Sequence, residues 1–174
     1  KYTYYSDYNA GFSDSAAGAT KANTYYQDGA NIVNAVAGSV GDGVDSKAKE
    51  VKKLSIEVDA NKDDNQPGYV LTSVLKNTEV PVYEIVEYYK NNKIDQVKGK
   101  TLTYDLASGA TGITDLSTIE SKITAEGKEK WNEIKGQLIT VANKIASGEI
   151  KVTNAQAGES FDKSKLTHLS MPND

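Results

Sequence analysis

The chain has 174 residues, of which 38% are hydrophobic and 25% are charged, so it can bury the core of one domain or of two joined half-domains. The net charge is −4 and all 20 basic residues are lysines without a basic patch, which argues against nucleic acids and anionic membrane surfaces as partners. Cysteine is absent and His168 is the single histidine, which excludes thiol nucleophiles, disulfides, histidine-based triads and histidine-rich metal sites.

The first 60 residues alternate between strand-like and helix-like patterns. An aromatic, alternating start predicts a strand, small residues on one face predict a helix that stops at a glycine, and apolar runs predict buried strands. The predicted elements are a strand over 1–8, a helix from a cap at Ser13 or Asp14 to Asp28, a strand over 31–38, a loop over 38–43, a helix over 44–53 and a strand over 54–59.

The middle of the chain places a lone lysine between a strand and a helix. The apolar run 70–75 predicts a buried strand that stops at Lys76, and the capping pair Asn77 and Thr78 then introduces a helical pattern. Together with the preceding elements, this order predicts an α/β fold with a largely parallel sheet and flanking helices.

The second half has fewer elements. Alternation over 101–108 predicts a half-buried strand, a glycine-punctuated loop follows, and residues from 155 onward are typical of a loose polar tail. A helix is predicted over 125–147, because apolar residues recur there at intervals of three and four. This apolar stripe consists of Trp131, Ile134, Leu138, Val141 and Ile145.

Polar residues follow several of the predicted strands, at the edge where α/β sheets bind ligands. The turn at Gly38 and Ser39 follows one strand, and Asp59 and Lys76 follow the next two. Lys76 is either a solvated strand end, a salt-bridge partner of Asp59 or Glu79, or a hydrogen-bond donor to a ligand. Asp59 is either a turn former or an acceptor for two sugar hydroxyls.

Other motifs with known chemistry are weak or absent. The glycine-rich segment 38–43 matches no phosphate-binding loop, and Asp63 and Asp64 lack the spacing of a calcium loop, so that a solvated turn is expected there. No convincing acid–base pair is visible, and we expect no catalytic residue, metal or cofactor. Phe12, an aromatic residue in a glycine-flanked turn after a strand, is a candidate ligand contact.

Several segments resemble the basic membrane protein family, the purine-nucleoside-receptor-A type of substrate-binding lipoprotein. The specific part is GYVLTSVLKNTEVPVYEIVEYYKNNK, over 68–93, which is similar to the signature region of the family. SIEVDANKD resembles the IGVDxDQ segment, and KTLTYDLASGATGITDL and IASGEIKV resemble the closing strand, glycine loop and last helix end. The resemblance covers nearly the whole chain up to about Val152.

This resemblance implies a two-lobed binding protein of the type I periplasmic fold, which closes around a nucleoside or related sugar-bearing solute and feeds an ABC permease. It implies a location on the outer face of the membrane, lipid-anchored or periplasmic. Asp59 and Lys76 would face the ribose hydroxyls, with backbone contacts from Gly38 and Ser39. Asn34 lies where the family has an aromatic that stacks on the base, and an asparagine can hydrogen-bond a base edge but cannot stack on it.

The resemblance also implies an incomplete fold, because the family's first lobe has no counterpart here and would precede Lys1. We therefore expect a C-terminal half, with most of the second lobe over 1–75, a crossover and return segment of the first lobe over 76–152, and a polar tail over 153–174. Its own missing N-terminal half would be a further partner. The alternatives are a surface lipoprotein or interaction module that has lost solute binding, and an enzyme acting on nucleosides or glycosides.

Overall fold

A computed structural model describes residues 2–3, 11–160, 162, 164 and 168–170. The strands are β1 (Tyr2–Thr3), β2 (Ile32–Asn34), β3 (Leu54–Asp59), β4 (Val70–Lys76), β5 (Thr111–Ile113) and β6 (Leu169–Ser170). The α-helices are α1 (Ser15–Gln27), α2 (Val40–Glu50), α3 (Glu79–Lys90), α4 (Ser117–Glu120) and α5 (Lys128–Ala146). Single 3-10 turns occupy Ile94–Gln96, Ala125–Gly127 and Ala155–Ala157. Most of the strand predicted over 1–8 and part of the tail predicted over 153–174 lie outside the described residues.

The main sheet has the strand order β2-β3-β4-β5. The first three of these strands are parallel, and β5 runs antiparallel to β4. The carboxyl ends of β2, β3 and β4 therefore meet at one edge of the sheet. This arrangement confirms the predicted α/β class with a largely parallel sheet and flanking helices.

Helices α1 and α2 pack closely on each other beside β2. Asp14 caps α1, because its Oδ1 accepts a hydrogen bond from the backbone N–H of Ala17 at 2.9 Å, which selects one of the two predicted caps. In the core between these elements, small side chains pack closely around one large side chain, that of Tyr26. The core consists of Ala22, Tyr26, Ala35, Val44 and Ala48. The Tyr26 hydroxyl donates to the Leu54 carbonyl at 2.8 Å and so ties α1 to β3.

Helix α2 begins earlier than predicted, and β2 ends earlier. The glycines that favoured a loop over 38–43 lie largely within α2, which starts at Val40 rather than at residue 44. A Cβ at Gly43 would overlap the Ser15 carbonyl oxygen, and a Cβ at Gly41 would overlap the Glu57 carboxylate. These glycines therefore allow the helix to approach its neighbours closely. In the sequence alone, a glycine that permits close packing cannot be told from a glycine that marks a loop.

A smaller apolar cluster covers the other part of the sheet. Leu116, Ile119 and Trp131 are buried there, with Leu54, Leu71 and Ile123 packed against them. Of the α5 residues, all of which the structure describes, only Trp131 is buried. The helix predicted over 125–147 is therefore present, but its apolar stripe contacts the cluster at one end alone.

The strand predicted over 101–108 is wrong. Residues 101–105 have no regular structure and 106–108 form a turn, in which Ser108 N–H donates to Asp105 Oδ1 at 3.0 Å. Such local side-chain bonds compete with strand formation. The edge of β4 is instead taken by β5, where Thr111 Oγ1 donates to the Leu75 carbonyl and Asn77 N–H donates to the Ala110 carbonyl.

Two helix faces carry exposed apolar side chains. On α3 these are Val82 (61% exposed), Tyr83 (67%), Val86 (55%) and Tyr89 (74%). On α5 they are Ile134, Leu138, Ile139 and Val141. Within the described residues α3 contributes no buried side chain. Among those residues no helix combines the length and the apolar character needed to span a membrane.

Candidate functional site

Asp59 and Lys76 form an ion pair at the carboxyl edge of the sheet. Asp59 ends β3 and pairs with Leu75 of β4, so Lys76, one residue further on, lies beside it. The distance from Lys76 Nζ to Asp59 Oδ1 is 3.0 Å, and the two side chains are 68% and 51% exposed. An exposed pair of this kind contributes only about 0–1 kcal/mol to stability. Both groups therefore remain accessible to a ligand, and little of the fold depends on them.

The backbone at Asp59 has an unusual conformation. Its φ is +75°, in the left-handed region that few residues other than glycine adopt. Asparagine and aspartate tolerate this region better than most residues, because their short polar side chains can hydrogen-bond locally. The carboxylate thus emerges from a sharp change of direction at the strand end, just before the loop 60–69.

The turn at Gly38 and Ser39 lies against the turn that carries Phe12. The Ser39 N–H donates to the Phe12 carbonyl at 2.9 Å, and a Cβ at Gly38 (φ +56°) would come within 2.8 Å of the same oxygen. The structure therefore brings these three predicted residues together. It also occupies the Ser39 amide, so the backbone contact expected from that N–H is already made within the chain. The exposed Ser39 hydroxyl makes no capping bond, and the Phe12 side chain is 68% exposed.

Asn34 ends β2 with an exposed side chain. Its register partner on β3 is Ile56, so β2 stops three positions short of Asp59. Val36, two residues further on, is 73% exposed and was not singled out from the sequence. The apolar run over 31–38 predicts a buried strand, so the exposure of Val36 is visible only in the structure.

A buried polar network holds the segment that follows Asp59. Lys62 Nζ lies 2.9 Å from Glu57 Oε2, the Lys62 N–H donates to Ser73 Oγ at 3.0 Å, and Ser73 Oγ donates to Asp63 Oδ1 at 2.7 Å. Asp63 is 2% exposed, so the solvated turn expected for it is wrong. Burial by itself would lower the pKa of Lys62, but the hydrogen bond and charge of Glu57 raise that pKa above its ordinary value. Asp64, in contrast, is exposed and accepts a hydrogen bond from Thr118 Oγ1.

The arrangement at this edge is suited to binding polar ligands. A carboxylate can accept hydrogen bonds from two hydroxyls, and an ammonium can donate to their oxygens. Among the described residues no group of three or more histidine, cysteine or acidic side chains is placed to hold a metal ion.

Comparison with known proteins identifies the family. Residues 1–145 match the family described as ABC transporter substrate-binding protein PnrA-like. Basic membrane protein B of Borrelia garinii subsp. bavariensis is 33% identical over 130 residues, which are 70% of this chain and 38% of that protein. The ABC transporter nucleoside-binding protein BmpA of Lactococcus lactis subsp. cremoris is 32% identical over 155 residues, which are 79% of this chain and 43% of that protein. The chain thus spans about two fifths of the length of these relatives.

Solved structures agree with this assignment. A solute-binding protein of an ABC transporter system from Aeropyrum pernix K1 superposes with a TM-score of 0.64 and 26% identity, over 81% of this chain and 45% of that chain. A transcriptional activator of the comK gene from Bacillus halodurans has a TM-score of 0.65 at 12% identity, over 79% of this chain and 44% of that chain, and shares the fold alone. The family predicted from the sequence is confirmed, and the chain belongs to the PnrA-like family of ABC transporter substrate-binding proteins.

Proposed function

We propose that the chain is part of the extracytoplasmic solute-binding component of an ABC importer and that its solutes are nucleosides. The observation that carries the proposal is the accessible ion pair of Asp59 and Lys76, 3.0 Å apart at the carboxyl edge of the sheet, in a chain of this family. The Lactococcus relative is a nucleoside-binding protein, which supports the choice of solute. The protein partner would be an ABC permease, and the location would be the outer side of the cell membrane. The family binds solutes, and no catalytic step is proposed.

Each residue at the edge would have a defined part in binding. Asp59 would accept hydrogen bonds from two neighbouring ribose hydroxyls, and Lys76 would donate to the oxygen of one of them. The ion pair orients both groups before the ligand arrives, which lowers the ordering cost of binding. Asn34 would hydrogen-bond an edge of the base, while the exposed ring of Phe12 would cover one of its faces.

Replacing Lys76 by alanine tests this proposal. A hydrogen bond to a charged group contributes about 1.5–3 kcal/mol, so nucleoside affinity should fall by about tenfold to a hundredfold. The melting temperature without ligand should hardly change, because the ion pair is exposed. Calorimetric titration with adenosine, inosine and uridine measures the first effect, and thermal unfolding measures the second.

A matched control is Lys130→Ala. Lys130 is 69% exposed and paired with Glu133 at 2.7 Å, so it resembles Lys76 in exposure and pairing but lies on α5. Its removal should leave nucleoside affinity unchanged. Equal affinities for wild type and Lys76→Ala would contradict the role given to Lys76.

The division into lobes is part of the same proposal. Residues 1–75 would supply most of one lobe, 76–152 would belong to the other, and 153–174 would be a tail. The exposed apolar faces of α3 and α5 support this division, because patches of this kind mark interfaces. The relatives are more than twice as long as the matched segment. We propose that the N-terminal half of such a solute-binding fold covers these two apolar faces.

Replacing Val86 by lysine tests the interface. The side chain is 55% exposed, so the stability of the chain alone should change by less than about 0.5 kcal/mol. Association with the N-terminal half of a family member, supplied as a separate polypeptide, should be lost, as measured by native mass spectrometry. The same change at Val152, which is 70% exposed outside the two faces, is the control and should preserve association. Association that survives Val86→Lys would contradict the assignment of this face.

A second function, an interaction module that has lost solute binding, is favoured by two observations. Asn34 cannot stack on a base, and the Ser39 amide is already bonded to Phe12. This alternative predicts no thermal shift with any of the nucleosides, even when the complementary half is present. A shift that grows with nucleoside concentration would decide against it.

A further inference from the structure

Two buried carboxyl groups lie at the contact between α2 and β3 and take no part in the proposed binding. Asp45, on α2, is 1% exposed, and Glu57, on β3, is 0% exposed. One oxygen of each is hydrogen-bonded. Ser55 Oγ donates to Asp45 Oδ1 at 2.7 Å, and Lys62 Nζ donates to Glu57 Oε2 at 2.9 Å.

The second oxygen of each carboxyl group is the unusual feature. Asp45 Oδ2 and Glu57 Oε1 are buried and have no hydrogen-bond partner among the described residues. A buried acceptor without a partner is costly, and more so if it carries charge. The glycine at position 41, one helical turn before Asp45 on α2, leaves room for the Glu57 carboxylate against this helix, because any Cβ there would overlap that carboxylate.

The charges around the pair do not balance two carboxylates. Lys62 is the one cation found in contact with the pair within the described part of the chain; its Nζ lies 2.9 Å from Glu57 Oε2 and 3.9 Å from Asp42 Oδ1, a third carboxylate. The other ionisable groups near the pair are acidic or phenolic, namely Asp42 on α2, which contacts Lys62, and Tyr26 on α1, which interacts electrostatically with Asp45. Asn65 adds a neutral amide beside Asp45. One buried negative charge would thus remain uncompensated if both groups were ionised.

We propose that Asp45 and Glu57 share a single proton, with Asp45 Oδ2–H donating to Glu57 Oε1 across the contact between α2 and β3. This one proton provides a partner for both orphan oxygens and removes the surplus charge. Burial raises the pKa of Asp45 from 3.8 to about 7; hydrogen bonding from Ser55 and Asn65 opposes this rise, and the charge of Glu57 and a hydrogen bond to it reinforce it.

The shared proton makes the seating of α2 on β3 dependent on pH. Since the pKa of Asp45 is higher in the folded chain than in the unfolded chain, the folded chain holds more protons between about pH 4 and pH 7. The stabilisation is therefore complete below about pH 4 and is lost as the pH rises through about 7. When the proton leaves, two carboxylates repel each other across the contact between α2 and β3. This pH dependence of stability does not rest on the proposed nucleoside binding.

The variant Asp45→Asn tests the proposal through stability. Its Oδ1 can still accept from Ser55 and its Nδ2 can donate to Glu57 Oε1, so it imitates the protonated group permanently. Between about pH 4.5 and 6.5 the unfolding equilibrium constant of the wild type should rise, relative to that of the variant, by up to about tenfold per pH unit. Urea unfolding of both chains across pH 4–9 measures this ratio. Glu50→Gln, which neutralises a 67% exposed carboxylate on the same helix that pairs with Lys47, should retain the wild-type pH dependence.

A second measurement does not depend on a variant. The ¹³C resonance of the Asp45 carboxyl group in the unmodified chain should titrate near pH 7. Titration near pH 4, or parallel pH dependences for wild type and Asp45→Asn, would overturn the proposal. It would also be overturned if native mass spectrometry revealed a retained metal ion whose removal by a chelator abolishes the pH dependence, because an ion would then supply the missing charge.

Discussion

Replacing Gly43 by alanine is expected to destabilise the chain by about 3 kcal/mol, because the added methyl group has no room between α1 and α2. A Cβ at this position would overlap the carbonyl oxygen of Ser15 and would lie 2.9 Å from the backbone nitrogen of Ala19. Both obstacles are backbone atoms, so the helices themselves must separate. The core around Ala22 and Ala48, both 0% exposed, would then lose its close packing. Urea unfolding followed by circular dichroism measures the change.

Gly136→Ala is the matched control for that experiment. Gly136 lies inside α5, and a Cβ there meets no heavy atom within 4 Å among the described residues. Alanine is favoured over glycine in a helix by about 0.5–1 kcal/mol, so this variant should be slightly more stable than the wild type. If Gly43→Ala also left stability unchanged, the close approach of α1 and α2 would not be a feature of the folded chain.

Replacing Trp131 by alanine is expected to cost about 3–5 kcal/mol, which is the range for removal of a large buried aromatic side chain. Trp131 is 7% exposed and packs with Leu116 and Ile119. Because it is the one buried residue among the described residues of α5, its loss should also release that helix from the sheet. Urea unfolding measures the loss of stability, and amide hydrogen exchange in α5 measures the release.

Leu138→Ala on the same helix is the control, because it truncates an apolar side chain that is exposed rather than buried against the sheet. Leu138 is 41% exposed, so its truncation in the chain alone should cost less than about 1 kcal/mol. Equal losses for Trp131→Ala and Leu138→Ala would mean that the whole stripe of α5 is packed in solution. That result would contradict the exposed interface proposed for α3 and α5.

The elements that were predicted correctly depend on local signals. The cap at Asp14, the strand over 54–59 and the strand beginning at Val70 follow from side-chain hydrogen bonding and short apolar runs, which neighbours in the sequence determine. The family resemblance was carried by residues around Lys76, and it is confirmed by the match over 1–145. Placing Asp59 and Lys76 at one edge required only the general rule that parallel strands end together.

The errors arose where the same residue type has two physical meanings. The backbone flexibility of Gly41 and Gly43 favours a loop in the sequence. In the structure, Gly41 lets α2 contact the Glu57 carboxylate, and Gly43 lets it contact the backbone of α1. The alternation over 101–108 favours a strand, but the Asp105–Ser108 turn uses the backbone groups locally. Asp63 is an ordinary turn residue by sequence, yet Ser73 of β4 holds it in the interior.

The sequence by itself determined the fold class, the family and the meeting of Asp59 and Lys76 at one edge of the sheet, because short-range periodicity and strand order are encoded locally. Tertiary structure alone decided which polar groups are buried and paired. Asp45 is 10 positions from Ser55 along the chain, and the hydrogen bond between them forms only when α2 packs on β3. Desolvation at that contact, which depends on the packing of distant segments, sets the protonation of the carboxyl pair.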